Sequence, residues 1–274
     1  MQTPVNTREE LFKLIQLNSK SILACGVLRI GVFGSFARDE ATKTSDVDFI
    51  IVTGKDLSEK QVKEVQTAHD HIYGQDNRWV KRMEYSFFSK PALRQHSSPY
   101  TQDGSNNSPT RKLWYFNNGS RTIERSDHCN TLVTRWIMRE KGITVLGPNP
   151  ATLIDPISAN ELRKEIKDTL VGWGKELLEN PEPRKNRFYQ SYLVLNYCRM
   201  LYDLHKGEVN SKLAGIEWAK SNLDPQWISL INFCWQERQD TSISVNQPAN
   251  AEVFANSLRF VRYAVGKGES YQIE

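Results

Sequence analysis

Between residues 147 and 150 the chain reads Gly147-Pro-Asn-Pro150, a cluster that no regular helix or central strand passes through, and the hydrophobic pattern changes on either side of it. Before it, short β-branched and aromatic runs are mixed with stretches of helical spacing. After it, the apolar residues recur at helical spacing only. That asymmetry excludes a single repeating architecture. It predicts an α/β domain over residues 1–150 and an all-α bundle over 151–274. A chain of 274 residues has room for both at about 100–200 residues per domain, and can bury its core without metal or disulfide staples.

Composition narrows the class further. No apolar run approaches the roughly 18 residues that a membrane span requires. The opening stretch, MQTPVNTREELFK, carries charges where a secretory leader would be apolar, so a cytoplasmic protein is expected. Cys25, Cys129, Cys198 and Cys234 are far apart in sequence and form no C-x-x-C pair, which reads as reduced structural thiols. The net charge is only +4, and the basic clusters Arg78/Lys81/Arg82 and Arg184/Lys185/Arg187 are not part of a long Lys/Arg tract with interleaved aromatics. They read as solvated faces, so neither a nucleic-acid nor a membrane partner is expected, and the chain is expected to act as a monomer.

Periodicity orders the elements. Leu11, Leu14, Ile15 and Ile22 predict a helix over Arg8 to Leu23, with a capping-box-like start at Thr7. Val27 to Phe33 and Asp46 to Val52 read as strands, the first stopped by Gly34-Ser35. A helix follows around Leu57 to Tyr73, then a strand from Val80 to Phe88. The Ser-, Asn- and Pro-rich stretch from His96 to Arg111 reads as a loop. Asn130 to Lys141 is a helix and Ile143 to Leu146 a short extended piece. Helices are predicted over Asn160–Glu179, Tyr189–Lys206, Ser211–Ser221, Pro225–Glu237 and Glu252–Gly266.

The sharpest chemical signal is Gly34-Ser35-Phe-Ala-Arg38 followed by Ser45-Asp46-Val-Asp48. Two residues apart on a strand, Asp46 and Asp48 point to the same side and can share divalent cations, while Val47, Phe49 and Ile51 face the other way. Gly34 lets the backbone approach closely, and Ser35 and Ser45 with nearby N–H groups can cradle a phosphate. Glu84 interrupts an apolar run. On a strand beside Asp46-Val-Asp48 it would reach the same site, as a third metal ligand or as the base that takes the proton of an attacking hydroxyl. Otherwise it is an edge-strand surface charge. In the helical half, Arg199 lies beside Cys198, Leu201 and Leu204, where a cation needs an anionic partner, either Asp203 one turn on or a bound phosphate. Ser211-Lys212 opens the next helix, and a helix N-terminus carrying a lysine favours phosphate.

These residues resemble the nucleotidyltransferase superfamily. The stretch Asn196-Tyr-Cys-Arg199 through Gly207 to Ser211-Lys212 and Trp218 is similar to the helical domain of the streptomycin/spectinomycin (aminoglycoside) adenylyltransferases. The resemblance implies a polymerase-beta-like mixed sheet with helices, joined to the C-terminal helical bundle. It implies an enzyme that moves AMP from ATP to a hydroxyl of a small molecule and releases pyrophosphate. Two Mg2+ ions would be held by Asp46, Asp48 and Glu84, and ATP by Gly34, Ser35, Ser45, Arg199 and Lys212 in an interdomain cleft. The implied acceptor is an aminoglycoside or aminocyclitol antibiotic, and the implied role is antibiotic resistance. The chain departs from that family where the acceptor would bind. Lys112-Leu-Trp114 stands where the family has a Gly-Glu-Trp context, and Tyr189 falls about where it has an aspartate. Trp114, Asp127 and Tyr189 are the candidate acceptor contacts, although Trp114 suits a core position equally. His128 is either a substrate contact or a capping or core histidine. The alternatives are an antitoxin-type protein adenylyltransferase that modifies a partner protein, and a nucleotide-binding pseudoenzyme.

Overall fold

The computed structural model describes residues 27–32, 46–76, 79–94, 96, 112–240 and 242–273. The predicted helix over Arg8–Leu23, the turn carrying Gly34, Ser35 and Ser45, and all of the 96–111 loop but His96 lie outside the described residues. The chain divides into two compact units, Met1–Pro156 and Ile157–Glu274. The division falls a few residues beyond Pro150. Arg139 accounts for this, since its guanidinium donates to the carbonyls of Ala151 and Ile154 and ties that stretch to the first unit.

The first unit is built on a six-stranded mixed sheet. Its strands are β1 (Val27–Val32), β2 (Val47–Thr53), β3 (Met83–Ser89), β4 (Leu113–Phe116), β5 (Glu124–Ser126) and β6 (Ile143–Leu146), in the spatial order β5-β4-β3-β2-β1-β6. Among the described strands, only β2 and β3 pair in parallel. Their crossover is helix α1 (Glu59–Tyr73), which opens on a Ser58/Gln61 capping box. Alternation sorts each strand by face. Val47, Phe49 and Ile51 of β2, with Met83, Tyr85 and Phe87 of β3, pack under α1 together with Val65 and Ile72. Asp48 and Glu84, at the alternate positions, therefore lie on the other face. Strands β4 and β5 were not anticipated from periodicity, because each is only three or four residues long.

His69 is the polar element of this core. It is 2 % exposed, stacks on Phe116 at 3.8 Å between ring centroids, and bonds through Nδ1 to the Tyr85 hydroxyl and through Nε2 to the Ser120 carbonyl. Burial lowers its pKa, against the opposing pull of the Ser120 carbonyl. A depressed histidine stabilises the folded state fully above its unfolded pKa of about 6.5 and less as pH falls through it. His69→Asn is therefore expected to be less stable at pH 8 yet to lose less melting temperature than the parent between pH 7 and pH 5, as thermal melts across that range would show.

Among the described residues, this unit has two further α-helices, α2 (Lys90–Arg94) after β3 and α3 (Leu132–Lys141) before β6. The second unit is helical: α4 (Ala159–Glu179), α5 (Arg187–Lys206), α6 (Lys212–Asn222), α7 (Ile228–Glu237) and α8 (Ala251–Ser270). Helix α5 is its centre, with Leu193, Val194, Tyr197 and Cys198 fully buried. It ends at Gly207, whose φ of 71° is the left-handed conformation that glycine adopts without strain. Among the described residues, Cys129, Cys198 and Cys234 are buried free thiols, and no helix is long and apolar enough to cross a membrane.

Candidate active site

The parallel register of β2 and β3 sets Asp48 directly beside Glu84. Neighbouring strands are about 4.8 Å apart, and both side chains rise from the face opposite α1. The burial of Val47 (0 % exposed) and Phe49 (1 %) holds that orientation, because rotating the strand to hide the carboxylates would expose both apolar side chains. Asp46 precedes β2 on the same side. Its Oδ1 accepts from Asn118 Nδ2 at 2.6 Å.

Glu84 is the more enclosed acid, with 13 % of its side-chain surface exposed. His128 Nε2 lies 3.4 Å from its Oε1, and the Cys129 thiol points to the same oxygen at 3.8 Å. The hydroxyl of Tyr115, on β4, donates to Oδ1 of Asn117 at 3.2 Å and lies near enough to Glu84 to act on its pKa. Burial pushes the Glu84 pKa up, but the hydrogen bonds and charge of His128, with those from Tyr115 and Cys129, outweigh it and hold the carboxyl below its ordinary range. The hydrogen bond to Glu84, with the Glu84 charge, raises the His128 pKa in turn. Tyr115 and Cys129 are shifted upward by burial first, so both remain protonated donors at neutral pH.

Asn118, Tyr115 and Cys129 are site neighbours that sequence reasoning did not select. One local signal for Asn118 was the Asn117-Asn-Gly119 turn. Gly119 has a φ of 69°, and a Cβ there would stand 2.9 Å from the Lys81 carbonyl oxygen, so only glycine lets the turn close and swing Asn118 to Asp46. Asp127 sits in the turn just before His128.

The structure separates Trp114 from this group. Trp114 pairs with Phe87 in the sheet, packs against the core under α1, and carries the Arg125 guanidinium 4.1 Å above its ring. It occupies the helix-covered face, away from Asp48 and Glu84. Gly34, Ser35 and Ser45 lie outside the described residues.

In the helical unit, α6 begins at Lys212 with Ser211 as N-cap. One turn on, Gly215 presses against Arg199 of α5, where a Cβ would come within 2.6 Å of the Arg199 Cα. The N-terminal turn of α6 and Arg199 are thereby neighbours. The intrahelical alternative for Arg199 is not what is seen: Asp203 accepts from the backbone and side chain of Asn210, while Arg199 donates to Asn196 at 2.8 Å. Its Nε is buried with no hydrogen-bond partner among the described residues, an orphan donor of the kind an anion would satisfy. Tyr189, in the first turn of α5, lies under the Arg184 guanidinium at 4.8 Å.

Asp46 and Asp48 are hard oxygen donors, of the chemistry that suits Mg2+ with water and phosphate oxygens completing its shell. Among the described residues, no three His, Cys, Asp or Glu side chains stand together as a metal cage. Glu84 is instead engaged by His128 and Cys129.

A mixed sheet with one parallel pair at its centre, followed by a helical unit, is the architecture of a two-part nucleotidyltransferase. The family comparisons agree: residues 13–94 match the nucleotidyltransferase domain, and residues 152–262 match the aminoglycoside adenylyltransferase C-terminal domain. The chain is an enzyme of the nucleotidyltransferase class, and it is similar to the aminoglycoside adenylyltransferases. It is 22 % identical over 224 residues to spectinomycin 9-adenylyltransferases of Staphylococcus aureus strains Mu50 and N315, covering 78 % of this chain and 78 % of theirs. Its fold is similar to that of a spectinomycin adenyltransferase from Enterococcus faecialis solved with ATP and spectinomycin, with a TM-score of 0.67 at 14 % identity, covering 96 % of this chain and 99 % of that one.

Proposed function

We propose that this enzyme transfers AMP from ATP to a hydroxyl of an aminocyclitol or aminoglycoside antibiotic, acting as a monomer in the cytoplasm and conferring resistance. The observation that carries the reading is the register that sets Asp48 beside Glu84 on the face of the sheet opposite α1. Asp46 and Asp48 would hold Mg2+, two ions in the full site, which would neutralise the triphosphate and the departing pyrophosphate. Glu84 takes the base role in preference to ligation, because its carboxylate is turned to His128 and Cys129. It would accept the proton of the acceptor hydroxyl as that oxygen bonds to the α-phosphorus and the bond to the pyrophosphate oxygen breaks. Gly34, Ser35 and Ser45 would cradle phosphate oxygens from the first unit. Arg199 and Lys212 would bind them from the helical unit, the free Nε of Arg199 gaining its missing acceptor.

The acceptor side would be formed by Asp127 and Tyr189. A tyrosine covered by the Arg184 guanidinium disfavours a strongly polycationic drug. The relatives' spectinomycin, rather than streptomycin, is therefore the acceptor of choice. With labelled ATP and Mg2+, AMP transfer to spectinomycin is expected at a kcat/KM at least about tenfold above that for streptomycin, the equivalent of ~1.4 kcal/mol. Failure to modify any member of an aminoglycoside and aminocyclitol panel would overturn the resistance role. ATP binding without turnover would leave the pseudoenzyme.

A further inference from the structure

The surroundings of Glu84 are more elaborate than a surface carboxylate needs. The side chain is largely enclosed, yet the residue above it, His128, keeps 64 % of its side-chain surface exposed. His128 is not placed by core packing. It is placed by a locked turn: its backbone N–H donates to Ser126 Oγ at 3.2 Å, Asn130 N–H to the Asp127 carbonyl at 2.8 Å, and Thr131 N–H to the Cys129 carbonyl at 3.0 Å. Thr131 then caps α3 by accepting from the Thr134 N–H. The turn thus presents two consecutive side chains, His128 and Cys129, to one carboxylate oxygen.

That convergence matters geometrically. A carboxylate rotates readily about its terminal bond, because such sp³–sp² torsions are broad. With His128 and Cys129 both against Oε1, and the Tyr115 hydroxyl near the same group, that rotation is restricted and Oε2 is turned the other way. A general base must meet its proton at hydrogen-bonding distance, and a displacement of about 1 Å costs on the order of 100-fold in rate.

We propose that His128 is the positioning residue for Glu84, holding Oε1, with Cys129 and Tyr115 in support, so that the carboxylate faces the acceptor hydroxyl. The proposal rests on the assignment of Glu84 as the base. His128 contacts neither ATP nor acceptor in this role. It acts through the carboxylate it pins.

The test compares variants of the full-length enzyme in AMP transfer to spectinomycin, with thermal melts alongside. His128→Ala is expected to lower kcat by about 10- to 100-fold, with the KM for ATP within threefold of the parent, as for other orienting partners. His128→Gln, which keeps an N–H donor, is expected to recover most of the loss. Added imidazole is expected to raise kcat of the Ala variant, since the vacated position is open to solvent. A purely structural role would give neither the Gln recovery nor the imidazole effect. Tyr115→Phe, which keeps the ring and removes only the hydroxyl, is expected to lower kcat severalfold, and it carries the test if His128→Ala does not fold. Glu84→Gln separates the two layers of the argument. If it is inactive while His128→Ala and Tyr115→Phe turn over within twofold of the parent, the positioning proposal fails and the base assignment stands. If Glu84→Gln itself keeps full kcat, the base assignment fails and the proposal with it.

Discussion

Asp48→Asn is expected to lower AMP transfer by roughly 100- to 1000-fold or more, the loss that follows when one preorganised electrostatic contact to a reacting group is removed. The substitution is isosteric. Its neighbours Val47 and Phe49 keep the strand seated, so the melting temperature is expected to stay close to that of the parent. The effect is chemical: an amide is neutral and a weaker donor to a hard dication, so the site loses half of its ligating charge when Asp46 alone remains. ATP is expected to bind the variant with reduced dependence on Mg2+, as calorimetry with and without the metal would show. Activity that survives the change would remove the metal-binding role from Asp48. Glu84→Gln is distinguishable from it, because loss of the base alone leaves Mg2+-dependent ATP binding in place.

The largest loss of stability is expected from Arg135. Its side chain is 2 % exposed, and its hydrogen bonds include four to neutral acceptors: Nε to the Leu93 carbonyl at 2.9 Å, Nη1 to the Thr131 carbonyl at 3.0 Å, and Nη2 to the Ala92 carbonyl at 2.6 Å and Asn130 Oδ1 at 2.8 Å. It also lies over the Phe88 ring at 5.2 Å. Ala92 and Leu93 are in the last turn of α2, whose carbonyls have no helical partner of their own. Arg135 therefore joins α2 to the start of α3. Arg135→Met keeps much of the apolar bulk but strands several buried acceptors at once, at about 1–3 kcal/mol for each group left unsatisfied. A destabilisation of about 4 kcal/mol is expected, which at about 2–4 °C per kcal/mol is a fall of roughly 10 °C in Tm. Arg135→Lys is expected to recover only a small part, because an ammonium on a flexible stem cannot span acceptors on two elements as the guanidinium fork does. A melting temperature within a degree or two of the parent would overturn this account. The same turn carries His128, so the loss of Arg135 should also loosen the grip on Glu84.

The elements with strong local signals were legible in the chain. The β2 pattern of Asp46-Val-Asp48 before an apolar run, the helical spacing of α4 and α5, and the Ser211 cap of α6 each follow from period and capping over a few residues. What escaped was the short and the distant. Strands β4 and β5 are too brief to show a period, and their places beside β3 depend on partners elsewhere in the chain. Trp114 reads the same locally whether it meets a ligand or the core. Only its pairing with Phe87 puts it on the helix-covered face. Arg199 and Asp203 have the spacing of an intrahelical ion pair, yet the Gly207 turn brings Asn210 back to Asp203 and the pairing is lost.

By itself the amino-acid sequence determined the division into a sheet-bearing half and a helical half, the acids that share one side of a strand, and the residues that open and close the helices. Each of these is set by the conformational preferences of neighbouring residues. Tertiary structure decided which acid stands beside which, and what each carboxylate touches. Asp48 meets Glu84 because β2 and β3 run parallel in one register. Glu84 meets His128 because a turn 44 residues further along the chain is locked above it. Such contacts arise when burial of the apolar face under α1 aligns strands far apart in sequence, and no local preference encodes that alignment.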